Sequence, residues 1–419
     1  MKLGVAQLAN YSFSVLRVIF LLALALFLPR MFSLINGNNE EIIQTQPNFK
    51  LGLESLSDSL IARFSGSNFK KMGLITDQTG TTQTGKAAVD VLIEKNLPLT
   101  KIFFLDSFSH RNFLETTAPR RPDLKAVYRH DGAVSPSDVK DLDVIFFDVQ
   151  DSGTSAHNYI QLLSELLVCA AQHNKMIVVL DRPNLLGANI EGTFYTYSHQ
   201  RANVLPVRHG MTIGEVARLI NTNFLTKQAH LMVVPMENYH RALDVLAPEY
   251  LDAIKSINSW YATTFLFPFN YIAPFETGCG AYKMQCILLP ENTKFARAKW
   301  IELRMLLKEM GVESSFHRSY NKEKGYFVCG LRLFVKNIEH FSSINALIAM
   351  LTFFKQAGVP LMFDQRFDQY MGTGKLRGFV LGLNTWQDLE QDINKQLKIF
   401  FNTASHILLY KPVPRVSMV

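Results

Sequence analysis

Two short apolar runs, Val144–Phe147 and Met176–Leu180, are rich in β-branched and aromatic residues and too brief for helices. Each stops at a polar cluster: Asp148, Gln150 and Asp151 after the first, Asp181, Arg182 and Asn184 after the second. Near-continuous apolar strands are what a parallel sheet covered on both faces requires. Between them, Tyr159 to His173 places Ile160, Leu163, Leu166, Leu167 and Ala170 on one stripe of a helix. The pattern predicts a right-handed strand–helix–strand unit, and ligands of such units bind at the carboxyl ends of the strands. The polar clusters fall there.

Similar runs repeat the unit. A helix over Leu53–Phe64 leads to a strand over Met72–Ile75 that ends in TDQTG, and Lys101–Leu105 ends in DSFSH. After LPVRHG, Thr212 with Glu215 three residues on predicts a capped helix, followed by a strand over Leu231–Val234. At least five strands alternating with helices predict an α/β domain with a doubly wound parallel sheet over residues 50–245. From residue 246 the order changes. An aromatic loop, FLFPFNYIAPFETGCG, precedes strands over Met284–Leu289 and Tyr326–Val335, helices over Phe295–Met310, Ser342–Ala357 and Trp386–Thr403, and a last strand near Ile407. This predicts a second, smaller α+β domain over 246–419.

At the start of the chain, Val18 to Leu28 is an unbroken apolar run of 11 residues between Arg17 and Arg30. That length suits the apolar region of a secretory signal, or an uncleaved anchor, over residues 1–35. Residues 36–49 then read as a polar linker, and the body as exported, periplasmic or extracellular. The chain of 419 residues, 48% hydrophobic, is long enough for two domains, and its net charge of +7 is dispersed apart from Arg120, Arg121 and Lys125. No basic stripe for nucleic acid emerges. The four cysteines (Cys169, Cys279, Cys286, Cys329) have neither CxxC nor zinc spacing, and one disulfide in the second half is allowed but not demanded.

Candidate chemistry starts with GTTQTGK, Gly80 to Lys86, which has phosphate-loop spacing. Ala87 stands where the magnesium-binding hydroxyl belongs, and Asp77 at the strand exit would oppose a triphosphate, so nucleotide hydrolysis is disfavoured. Asp148, Asp151, Asp181 and Glu191 are candidates for general acid and base, and two carboxyl groups are the usual equipment for cleaving a glycosidic bond. His110 and His209 could orient or protonate a ligand.

The runs GLITDQTG, DLDVIFFDVQDSG, VVLDRPNLLGANIEG, LPVRHGMTIGEVARLIN and VVPMENYHR occur in an order that resembles the exo-β-N-acetylmuramidase family, formerly a bacterial domain of unknown function. The resemblance implies a Rossmann-like first domain and a smaller C-terminal one. It also implies hydrolytic release of N-acetylmuramic acid from the non-reducing end of peptidoglycan fragments, with peptidoglycan-derived saccharides as partners and neither metal nor organic cofactor. By the resemblance, the catalytic candidates are His110, Asp151, Glu191 and Glu276. The saccharide-binding candidates are Asp77, Gln78, Ser109, Tyr159, Arg182, Asn184, Arg208 and His209, with Arg182 or Arg208 expected to pair with the lactyl carboxylate. The chain departs from the family at Ser109, where a catalytic Glu is usual, at Arg111 for Gly, at Ser155 and His157 for Arg and Tyr, and at ETGCGA for SEGRGT. A hydroxyl cannot replace a carboxylic acid in proton transfer. A silent relative that only binds cell-wall fragments is therefore the alternative to an active hydrolase.

Overall fold

The computed structural model describes residues 49–416 apart from 66–68, 130–134, 156–157, 196–204, 242–249, 251–261, 263, 279–283, 337–340 and 412–414. The expected signal or anchor, the linker up to residue 48, His157 and Cys279 lie outside the described residues. No described helix is long and apolar enough to cross a membrane.

Six strands form one parallel sheet: β1 (Met72–Thr76), β2 (Leu99–Phe104), β3 (Lys125–Tyr128), β4 (Val144–Asp148), β5 (Met176–Leu180) and, later in the chain, β8 (His230–Val234). Their order is β3-β2-β1-β4-β5-β8, a doubly wound Rossmann-like arrangement that reverses direction between β1 and β4. Every residue of β1 and β4 is buried. The side-chain period of two sends alternate residues to opposite faces. Ile75, Phe103, Ile145, Phe147, Ile177 and Val179 face one core, while Leu74, Ile102, Phe104, Phe146, Val178 and Leu180 face another.

Helices cover both faces. α1 (Asp58–Ser65), α2 (Ala88–Glu94) and α3 (Ser107–Thr116) supply Phe64, Leu92 and Phe113 to the second core. After the short α4 (Pro136–Val139), α5 (Asn158–His173) and α6 (Ile213–Leu219) cover the first, and Leu163, Leu166, Leu167 and Ala170 are all buried as their spacing predicts. Thr212 and Glu215 form the expected reciprocal cap of α6.

Between β5 and α6 the chain makes an antiparallel pair, β6 (Asn189–Tyr195) and β7 (Leu205–His209), which sets Glu191 opposite Arg208. After β9 (Ile272–Ala273) comes a three-stranded antiparallel sheet of β10 (Cys286–Pro290), β11 (Val312–Asn321) and β12 (Tyr326–Val335), ordered β10-β12-β11. α7 (Arg297–Glu309), α8 (Ser343–Gln356), β13 (Met362–Phe363), α9 (Gln365–Met371), α10 (Lys375–Leu381) and α11 (Trp386–Ala404) complete this smaller part. Its Trp300, Leu331, Phe354 and Leu397 join the core that covers the first face of the parallel sheet. Cys169, Cys286 and Cys329 are free thiols.

Three expectations change. The helix expected from Leu53 begins at Asp58, because Leu53 to Ser55 form a turn. The strand expected from Met284 begins at Cys286, since Met284 has a φ of 63° that a strand cannot hold. The strand expected near Ile407 is instead a tight turn, Ser405–Ile407, and the last strand, β14 (Arg415–Val416), pairs with β6.

Beyond that turn the chain folds back onto the parallel sheet. The Tyr410 hydroxyl donates to Asp181 (2.6 Å) and accepts from the Met236 amide (2.9 Å). The amide of Leu409 donates to Glu215 (2.7 Å), whose carboxylate also holds the guanidinium of Arg241. Tyr410→Phe removes the acceptor of the buried Met236 amide and one of the four donors to Asp181, and an unmet buried group costs about 1–3 kcal/mol. Urea unfolding should show a lower midpoint with an unchanged slope; an unchanged midpoint would show that Tyr410 ties nothing.

Candidate functional site

The exits of β1 and β4 lie side by side, with Thr76 in register with Asp148. In open α/β sheets the gap where strand order reverses is the usual ligand crevice. Asp77 leaves β1 there. One of its carboxylate oxygens accepts from the Thr79 amide (2.8 Å) and the Thr79 hydroxyl, and the other accepts from the hydroxyl of Tyr159 (2.6 Å). The Thr79 oxygen in turn accepts from the Gln150 amide (3.0 Å), which joins the two strand exits. Burial pushes Asp77 above the ordinary carboxylate range despite these donors. Burial pushes Tyr159 far up as well, and the charges of Asp77, Asp106 and Asp151 add to that. Tyr159 is thus a permanent hydroxyl, surrounded by three carboxyl groups.

Four acidic residues looked equivalent in the sequence, and the structure separates them. Asp148 is gripped at both oxygens by Arg182, Nε at 2.6 Å and Nη2 at 2.8 Å, with neither side chain exposed. Arg182 also donates to the Tyr250 hydroxyl and the Thr81 carbonyl, both at 3.0 Å. Its burial alone would lower its affinity for the proton, but Asp148 outweighs that and holds Arg182 charged. Asp181 accepts from the Thr212 and Tyr410 hydroxyls and from the amides of Gly214 and Arg182. Glu191 pairs with Arg208 (3.0 Å) and accepts from both the amide and hydroxyl of Ser343 (2.7 Å each). Arg208 donates further to the Leu186 and Phe341 carbonyls.

These contacts give Arg182 and Arg208 internal partners where a ligand carboxylate was expected. Both guanidinium groups are buried and already occupied, as is Glu191, so all three brace the strand exits from within.

Asp151 differs. Its Oδ2 accepts from the Gly153 amide (2.6 Å) and meets His209 Nε2 at 3.1 Å, while its Oδ1 is buried with no partner among the described residues. Because Nδ1 of His209 accepts from the Met211 amide (3.2 Å), the ring carries its proton on Nε2 and donates it to Asp151. The Ser155 hydroxyl, in the same loop, is also buried with no partner among the described residues. Buried polar groups without partners are rare, and they fit a place where water or ligand sits.

The remaining candidates sit around this centre or away from it. Asn184 lies behind the site, bonded to Met211 and Leu186. Gln78 is exposed, its amide held by Asp106 (2.8 Å). Ser109 stands in the first turn of α3, with its amide on the other oxygen of Asp106 (2.8 Å). His110 stacks on Tyr128, ring centroids 5.7 Å apart and 17° between planes. Glu276 bridges to β10 and pairs with Lys324 (2.6 Å) and Tyr326 (2.9 Å). The phosphate-loop look-alike closes on itself: Thr82 bonds Lys86 at both backbone and side chain, and the Lys86 ammonium pairs with Glu94. Thr79, Asp106, Tyr250, Arg241 and Tyr410 were not anticipated. Asp106 alone carried a signal, as a capping residue ahead of α3.

A model of the N-terminal domain of exo-β-N-acetylmuramidase NamZ matches residues 72–251, and one of its C-terminal domain matches residues 293–410. The chain belongs to the NamZ family. A peptidoglycan β-N-acetylmuramidase NamZ from Bacillus subtilis (strain 168) is 24% identical over 398 residues, covering 87% of this chain and 92% of the relative. Two crystal structures of DUF1343 family proteins from Bacteroides fragilis NCTC 9343 share the fold. One has a TM-score of 0.68 at 22% identity, covering 87% of this chain and 100% of that one. The other has a TM-score of 0.63 at 18% identity, covering 87% and 99%. The two NamZ models take in both the parallel-sheet strands around Asp151 and most of the smaller part.

Two outcomes test the bracing role. Arg182→Met leaves the Asp148 carboxylate buried and unpaired, a change that costs about 3–5 kcal/mol. Chemical denaturation should report a loss of that order, and a loss below about 1 kcal/mol, the size of a surface pair, would contradict it. Burial pushes Asp181 up to about 6, with the hydrogen bond from Tyr410 opposing and the charge of Glu215 assisting. Between its ordinary 3.8 and about 6, the folded state holds a proton that the unfolded chain has released. Its stabilising contribution is therefore complete below that window and lost as pH rises through it. Asp181→Asn should flatten this part of the stability–pH profile relative to wild type.

Proposed function

We propose that the chain is a glycoside hydrolase that releases N-acetylmuramic acid from the non-reducing end of peptidoglycan-derived saccharides. Membership of the NamZ family supports the class of substrate and reaction. The observation that carries the site is Asp151: one oxygen fixed by Gly153 and His209, the other buried with no partner among the described residues. A carboxyl group held this way can accept a proton or stabilise positive charge developing on the sugar ring. His209 fixes its orientation, and the Tyr159 hydroxyl, steered by Asp77, lines the same gap. Export fits the same reading, supported by the apolar run Val18–Leu28 ahead of the folded body.

Binding without turnover is the second reading, and one observation favours it. The turn that begins α3 presents Ser109 rather than a carboxylic acid, and the acid nearest in sequence, Asp106, is consumed at both oxygens by Ser109 and Gln78 amides.

Turnover of a chromogenic β-N-acetylmuramide separates the two. Under the first reading Asp151→Asn lowers kcat/KM by about a hundred- to ten-thousand-fold, the usual worth of general acid or base assistance, with an unchanged circular dichroism spectrum. Undiminished turnover in Asp151→Asn would move the reaction to another carboxyl group. Under the second reading wild type binds the sugar without hydrolysing it, and Ser109→Glu combined with Arg111→Gly creates turnover. Arg111 is replaced as well because an adjacent guanidinium lowers a carboxyl pKa, whereas a general acid needs it raised.

A further inference from the structure

The antiparallel sheet of the smaller part and the helix against it expose several large apolar side chains. Phe316 and Tyr320 on β11 and Phe327 on β12 are exposed, as are Ile301 and Met305 on α7, with Met305 65% exposed. α7 meets the strand aromatics at Phe316. Tyr320 pairs with Phe327 across the strands, ring centroids 5.0 Å apart. Phe316, two pleats away on the same face, lies against α7, with the guanidinium carbons of Arg297 and Arg304 at 5.3 and 5.1 Å from its ring centroid. Arg297, Ile301, Arg304 and Lys308 follow the i, i+4, i+7, i+11 spacing of one helix stripe. Met305 stands one turn beyond Ile301.

Charge concentrates here too. Residues 291–336 contain ten Lys and Arg against five Glu, a net +5 of the chain's +7. Among the described residues no ion pair engages Arg297, Arg304 or Lys308.

We propose that this face docks on an anionic lipid bilayer, with the basic side chains on headgroup phosphates and Met305, Ile301 and the aromatic rings among the upper acyl chains. An apolar patch mixed with unpaired cations is the surface that lies in a membrane interface. A saccharide polymer fits less well. Sugars stack on open ring faces, whereas Arg297 and Arg304 crowd Phe316, and Arg318 lies 3.9 Å from the Phe327 centroid. An acidic polymer would also leave Ile301 and Met305 unexplained. The site at the exits of β1 and β4 plays no part in this docking, so the inference stands apart from the reaction.

The test uses the full chain carrying Met305→Trp and phosphatidylcholine vesicles with brominated acyl chains, with and without phosphatidylglycerol. The added indole emission, taken against the parent chain, should be quenched by the phosphatidylglycerol vesicles and recover with salt. Reversal of two charges, Arg297→Glu with Arg304→Glu, should weaken partitioning roughly tenfold or more, since each basic residue near an anionic surface contributes about a fivefold factor. Vesicle binding without quenching at this position would place membrane contact elsewhere in the chain and overturn the proposal. So would partitioning that the double reversal leaves unchanged, or binding to sedimented peptidoglycan that the reversal abolishes while no quenching occurs.

Discussion

The pair of Arg182 and Asp148 is the constraint on which the strand exits depend. Removing both charges from water costs several kcal/mol per ion, and only close geometry with every remaining donor satisfied offsets that. The structure meets the condition. The guanidinium grips both carboxylate oxygens and reaches Tyr250 and the Thr81 carbonyl, so it joins β4, β5, the loop after β1 and a tyrosine from beyond β8. Neighbouring charged groups follow the same rule. Glu191 with Arg208 links β6 to β7 and reaches the start of α8 through Ser343. Glu215 with Arg241 receives the returning C-terminal segment.

The frame consumes most of the acidic and basic groups that cluster at the sheet's edge, and this decides what remains for chemistry. A fully bonded buried carboxylate is a poor partner for a ligand, because it must surrender existing bonds in a low-dielectric setting. Asp151 has one oxygen without a partner among the described residues, while a histidine holds the other.

Much of the fold was legible because burial on both faces leaves a simple mark. Val144–Phe147 and Met176–Leu180 could be strands of little else, and both appear as such. The stripe of α5 and the cap of α6 are local patterns, and they too were readable. β11 was not, since VESSFHRSYN mixes polar and aromatic residues on a half-exposed strand and shows no clean alternation. The internal partners of Arg182 and Arg208 were not legible for a different reason. A long cation beside a strand end looks alike in sequence whether it faces a ligand or a buried carboxylate, and only the packing of Asp148 and Glu191 tells them apart. The open oxygen of Asp151 likewise depends on neighbours that are distant in the chain.

The central claim is that ligand chemistry meets Asp151 while both buried arginines stay internal. A crystal structure with N-acetylmuramic acid bound tests it most directly. The account predicts a sugar oxygen within hydrogen-bonding distance of Asp151 Oδ1, with Arg182 still gripping Asp148 and Arg208 still on Glu191. A sugar carboxylate seated on either arginine, with its present partner displaced, would contradict it.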